Sequence, residues 1–98
     1  GSFIQLLKRS SGREPDVICG KPYTVMGQCL TRLLGVPAAN VTMVGDRPYT
    51  DLRFGNRNGF STLLVLSGET RAEQVASLPA SGTPTAVAAS LNEIAAYL

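Results

Sequence analysis

Residues 61–66, Ser-Thr-Leu-Leu-Val-Leu, run unbroken between Gly59-Phe60 and Ser67-Gly68. A strand with one wet face alternates apolar and polar side chains. Four consecutive aliphatic residues instead describe a short strand buried on both faces, the kind found in parallel sheets. Parallel strands need long crossover connections, which are right-handed, so the flanking segments must supply helices and further strands.

They carry those patterns. Phe3, Ile4, Leu6 and Leu7 fall at helical spacing, followed by Lys8 and Arg9 in the last turn and Gly12 as the stop. Asp16-Val17-Ile18-Cys19 is a brief β-rich run ended by Gly20, Lys21 and Pro22. Met26, Cys29, Leu30, Leu33 and Leu34 make one stripe of a helix expected from about Thr24 to Leu34, with Gly35 ending it. Gly27, inside that helix, costs about 1 kcal/mol against alanine, and no local pattern explains it beyond the prospect of close packing. Val41–Val44 is the next expected strand and residues 45–51 its exit turn; residues 50–59 suit a short helix closed by Asn58-Gly59. Thr70 and Glu73 have capping-box spacing, so a helix is expected from Arg71 to just before Pro79. Residues 78–85 read as a surface loop, 85–89 as a weak last strand, and Leu91–Leu98 as a last helix with Leu91, Ile94, Ala95 and Leu98 on one side. Strands alternating with helices predict an α/β fold around a mostly parallel sheet.

At 98 residues the chain holds one small domain, and its 44% apolar and 16% charged residues are those of an ordinary globular protein. The net charge is +2, and the seven arginines are scattered between Arg9 and Arg71. A nucleic-acid binder concentrates its basic residues, so no nucleic-acid partner is expected. No apolar stretch approaches the roughly 20 residues of a membrane helix, and no charged start leads into a signal-peptide core. Cys19 and Cys29 sit in apolar surroundings without a histidine to complete a zinc set, which predicts buried reduced thiols in a reducing, cytoplasmic setting. Gly1-Ser2 has the look of a cloning scar, which leaves residues 3–98 as the domain.

In an open parallel sheet, ligands sit beyond the carboxyl ends of the strands. Lys21 and Asp46 each follow an expected strand, and Asp51 starts the next helix. Two carboxylates without softer ligands suit Mg²⁺, which takes oxygen from one or two carboxylates, phosphate and water. Lysine adds a positive point charge for a phosphate or a nucleophilic carboxylate. The three therefore suggest part of a phosphoryl-transfer site. Simpler duties are open to them as well: Asp51 beside Thr50 can cap or complement a helix dipole, and Asp46 after Gly45 is ordinary turn chemistry.

Gly20-Lys21-Pro22-Tyr23-Thr24-Val25-Met26, followed by Met43-Val44-Gly45-Asp46-Arg47-Pro48-Tyr49-Thr50-Asp51-Leu52 and the run through Thr70, resembles the C-terminal part of the haloacid dehalogenase (HAD) superfamily. The branch it is similar to holds the 4-nitrophenylphosphatases, phosphoglycolate phosphatases and pyridoxal phosphate phosphatases. The resemblance implies a partial Rossmann-like core, three-layer αβα. It also implies a Mg²⁺-dependent phosphomonoester phosphatase working on a small phosphorylated metabolite through an aspartyl-phosphate intermediate. Lys21 matches the lysine that steadies the nucleophilic aspartate and the phosphoryl group. Asp46 matches the direct Mg²⁺ ligand, and Asp51 the acid that acts through water and orients the lysine.

The family's D-x-D nucleophile motif has no counterpart here, since aspartate occurs only at 16, 46 and 51. The chain thus resembles the last third of such an enzyme, without the first motif strands and the substrate-selecting cap. It is expected to be inactive alone, to bind Mg²⁺ weakly, and to self-associate through the edge of the Val41–Val44 strand. Pro48 stands where the family more often has an apolar residue such as leucine, a change expected to be tolerated. A non-catalytic binding module with a HAD-derived fold is the alternative. A dinucleotide-binding domain is disfavoured because no G-x-G-x-x-G follows a strand, and a receiver domain because its acids would precede its lysine.

Overall fold

The computed structural model describes residues 1–97. In chain order it contains α1 (Ser2–Ser11), α2 (Val25–Leu34), β1 (Thr42–Gly45), α3 (Arg53–Arg57), β2 (Ser61–Val65), β3 (Ala86–Ala88) and α4 (Leu91–Ala95). The three strands form one parallel sheet in the order β1-β2-β3, with Met43 opposite Thr62 and Leu64 opposite Val87. This is the α/β arrangement the apolar run at 61–66 demands.

The core sits between the sheet and the segment joining β1 to β2. Leu52 and Leu64 are fully buried, Phe54 is 2% exposed, and Phe54 meets Phe60 edge-to-face with centroids 5.9 Å apart. Thr62 is buried among them but satisfied: its hydroxyl donates to Asn56 Oδ1 and accepts the Thr85 amide, while its own amide donates to Thr85 Oγ1. These bonds stitch β2 to the start of β3, where alternation alone gave only a weak strand.

Gly12 and Gly35 end α1 and α2 in left-handed conformations, as the stop signals predict. The glycine inside α2 is explained by its neighbour, because a Cβ on Gly27 would fall 2.2 Å from the Asn58 side chain. That side chain in turn donates to Phe54 O at 2.8 Å. The close approach therefore joins α2 to the end of α3.

Three expectations are corrected. Asp16–Cys19 forms no strand: Val17 is exposed and no ladder takes up the segment, consistent with β-propensity describing a fit to a pleated surface and not a backbone state. The α2 helix itself forms as expected, with Met26, Leu33 and Leu34 of its stripe exposed. Cys19 and Cys29 are free but exposed, not buried. The helix after Thr70 is a 3₁₀ segment, Ala72–Ser77, preceded by the N-cap residue Arg71, whose amide donates to Gln74 Oε1 at 2.8 Å. The cap is thus one residue later than the Thr70/Glu73 spacing indicates. Leu98, placed in the last helix by its spacing, lies outside the described residues.

Candidate phosphoryl-transfer site

Beyond the carboxyl end of β1 the chain does not enter an α-helix directly. Residues Pro48–Leu52 form a π-helical turn in which Arg47 O accepts the amides of Asp51 at 2.8 Å and Leu52 at 3.4 Å. Such turns recur at functional sites. Here it drives Asp51 inward, to 6% exposure, against β1. The last β1 residue must then be glycine: a Cβ on Gly45 would lie 2.4 Å from Asp51 Cβ.

Lys21 reaches the same place from the loop before α2, not from a strand. Its Nζ pairs with Asp51 Oδ1 at 2.5 Å, and Asp51 Oδ2 accepts the Arg47 amide at 3.3 Å. The loop is held from behind, where Arg57 donates to Pro22 O and lies over the Tyr23 ring at 6.0 Å. Lys21 and Asp51 thus form one charge-assisted unit, with the lysine side chain 41% exposed toward solvent.

Asp46 is fixed differently. Its Oδ2 accepts the Glu69 amide at 2.8 Å and its backbone carbonyl accepts Thr70 Oγ1 at 2.6 Å. Gly68 makes this possible, since a Cβ there would lie 2.2 Å from Asp46 Oδ2. Asp46 Oδ1 takes no hydrogen bond from the described residues, whereas both oxygens of Asp51 are engaged. The carboxylate oxygen left without a protein partner is therefore Asp46 Oδ1, while each oxygen of Asp51 already accepts one hydrogen bond. No cluster of three or more metal-ligating side chains occurs among the described residues. One carboxylate oxygen, completed by water and phosphate, is a coordination that Mg²⁺ accepts.

All three predicted site residues, Lys21, Asp46 and Asp51, line one open concavity of about 390 Å³, together with Arg47 and Thr50. Arg47 and Thr50 escape a reading based on carboxylate and lysine spacing; only their position in the exit turn places them there. Arg47 Nε is paired with Glu69 Oε2 at 2.6 Å, and Tyr49 donates to Glu69 Oε1 at 2.5 Å. That bond holds the Tyr49 phenol above its usual titration range, and Glu69 likewise raises Arg47.

Comparison with known proteins places the chain in a family. Residues 18–94 match the HAD-hydrolase-like family. Human chronophin is 39% identical over 82 residues, covering 84% of this chain and 27% of chronophin. The p-nitrophenyl phosphatase from Archaeoglobus fulgidus superposes with a TM-score of 0.82 at 35% identity, over 100% of this chain and 38% of that one. A glycerol phosphate phosphatase from Mycobacterium tuberculosis, in complex with magnesium, gives a TM-score of 0.80 at 26% identity, over 96% of this chain and 28% of that one. The chain thus spans about a quarter of the length of the curated relative. With the match running from the loop that carries Lys21, through the β1 exit turn, to the last helix, this chain belongs to the HAD-hydrolase-like family.

Proposed function

We propose that this chain supplies the lysine and the acidic, metal-binding portion of the active site of a Mg²⁺-dependent phosphomonoester phosphatase. The observation carrying this reading is the Lys21–Asp51 pair lying beside an uncommitted Asp46 oxygen over a single concavity. Asp51 orients the Lys21 ammonium, which offsets charge on phosphoryl oxygens and on an attacking carboxylate. Asp46, held by the Glu69 amide and Thr70, would hold Mg²⁺. When bound, the ion supplies further charge neutralisation at the phosphoryl group. The substrate class is a small phosphorylated metabolite, and the presence of magnesium in the mycobacterial relative supports the choice of ion.

The covalent step, attack by an aspartate to give an aspartyl-phosphate, has no candidate within these 98 residues. Asp16 is exposed in the irregular segment after α1 and does not line the concavity. A non-catalytic module is less well supported, because it gives no reason for an ion pair and a free carboxylate oxygen to share one recess. The free thiols of Cys19 and Cys29 fit a reducing, cytoplasmic setting.

Titrating Mg²⁺ while following the amide resonances of Asp46 and Glu69 tests the reading. Weak, millimolar binding that disappears in Asp46→Asn is expected, since one direct carboxylate remains to hold the ion. Micromolar binding, or a titration unchanged by Asp46→Asn, would contradict it.

We also propose self-association through β1. Its outer edge has no partner among the described residues, Thr42–Gly45 carries neither charge nor proline, and Val44 is 37% exposed. Sedimentation should show a dimer or larger species at high concentration; a strictly monomeric profile would count against this.

A further inference from the structure

The wall formed by the π-turn has a second side. Pro48 and Tyr49 of this turn line a separate cavity of about 260 Å³, together with Arg53, Thr70, Leu78 and Pro79 among others, and it shares no lining residue with the Lys21–Asp46–Asp51 recess. Ligand pockets for drug-sized molecules run to about 300–1,000 Å³, so an occupant here is small. Most of its walls are apolar.

Charge on this side is unbalanced. The ion pairs among the described residues are Lys8–Glu14, Lys21–Asp51 and Arg47–Glu69, and Arg53 belongs to none of them. Glu69, the one acid at this cavity, is already committed through both oxygens, to Arg47 and to Tyr49. Arg53 Nε is moreover buried without an acceptor. Arg53 is half-buried, and a guanidinium nitrogen left without an acceptor beside apolar walls favours an anion brought to it.

We propose that this cavity binds a small organic carboxylate, with Arg53 as the anchor for the anion and Pro48, Leu78 and Pro79 receiving the apolar body. Inorganic anions fit less well, because they would leave those apolar walls uncovered. The site adjoins the phosphoryl-transfer residues without overlapping them: Thr70, on its wall, donates to Asp46 O, and Tyr49 lies in the turn that carries Asp51. Occupancy would therefore be felt at Asp46. The proposal does not depend on the catalytic reading above.

The test is a titration of the 98-residue protein with benzoate and, separately, with uncharged benzamide, followed by amide chemical shifts. Benzoate should give saturable shifts at Tyr49, Arg53, Thr70 and Gly82, with benzamide weaker by about tenfold, the scale of one charge-assisted contact. Arg53→Leu should weaken benzoate by a similar factor and leave benzamide unchanged, and Arg53→Lys should restore part of the loss. If Arg53→Leu loses its dispersed spectrum, the Arg53→Lys comparison and the benzamide ratio still decide. Equal affinity for the two probes, no saturable shift, or shifts confined to Lys21, Asp46 and Asp51 would overturn the proposal.

Discussion

Replacing Phe54 with alanine should remove about 3–5 kcal/mol of stability, the usual cost of truncating a buried aromatic. Phe54 is 2% exposed, packs edge-to-face on Phe60, and belongs to α3, the element that covers the sheet. The core it would leave is small: besides Phe54, the buried hydrophobic residues among those described are Leu52, Phe60, Leu64, Val65 and Ala88. Natural domains hold a margin of about 5–15 kcal/mol in total, and small ones sit at its lower end. Urea denaturation of Phe54→Ala should therefore show little or no cooperative transition. A midpoint close to that of the unmodified protein would mean that the core lies elsewhere.

Gly45→Ala is the second large effect, and it joins stability to the site. The new methyl would lie 2.4 Å from Asp51 Cβ and 2.7 Å from its Cγ. Asp51 Cβ is not the end of a flexible chain; it moves only if the π-turn moves, and that turn is closed by the Asp51 amide on Arg47 O at 2.8 Å. The cost should reach about 1–3 kcal/mol or more, as for other overpacked cores. Asp51 should also be pushed off Lys21, visible as loss of the contacts between the two side chains in NMR. Gly20→Ala is the matched control, since it adjoins Lys21 yet a Cβ there meets nothing within 4 Å. A Gly45→Ala protein as stable as the control, with the Lys21–Asp51 contact intact, would contradict the placement of the turn.

The parts of the fold legible in the sequence are those governed by local rules. Glycines 12 and 35 stop their helices, and the unbroken run at 61–66 forces a parallel strand, because each depends on backbone or burial preferences within a few residues. What failed depends on partners. Asp16–Cys19 has strand-forming residues but no ladder, and Cys19 and Cys29 have apolar neighbours in sequence but are exposed among the described residues. Periodicity reports which face of an element is apolar, not whether anything packs on it.

The site was legible in the same divided way. Lys21, Asp46 and Asp51 do line one recess, yet Lys21 reaches it from a loop and not from the strand end expected. The π-turn was not legible, since its extra residue follows from the fit of Asp51 under Gly45 and from no sequence signal of its own. Thr70 illustrates the same limit: its spacing to Glu73 suggests a cap, but its hydroxyl is spent on Asp46 O, a contact 24 residues away.

The central claim is that these 98 residues hold the lysine and metal side of a phosphoryl-transfer site without the group that attacks. The most direct test is hydrolysis of 4-nitrophenyl phosphate by the purified chain, with and without Mg²⁺. The account predicts no turnover above the buffer rate in either condition. Mg²⁺-dependent release of nitrophenol that disappears in Asp46→Asn would contradict it, and would mean that another residue of this chain performs the attack.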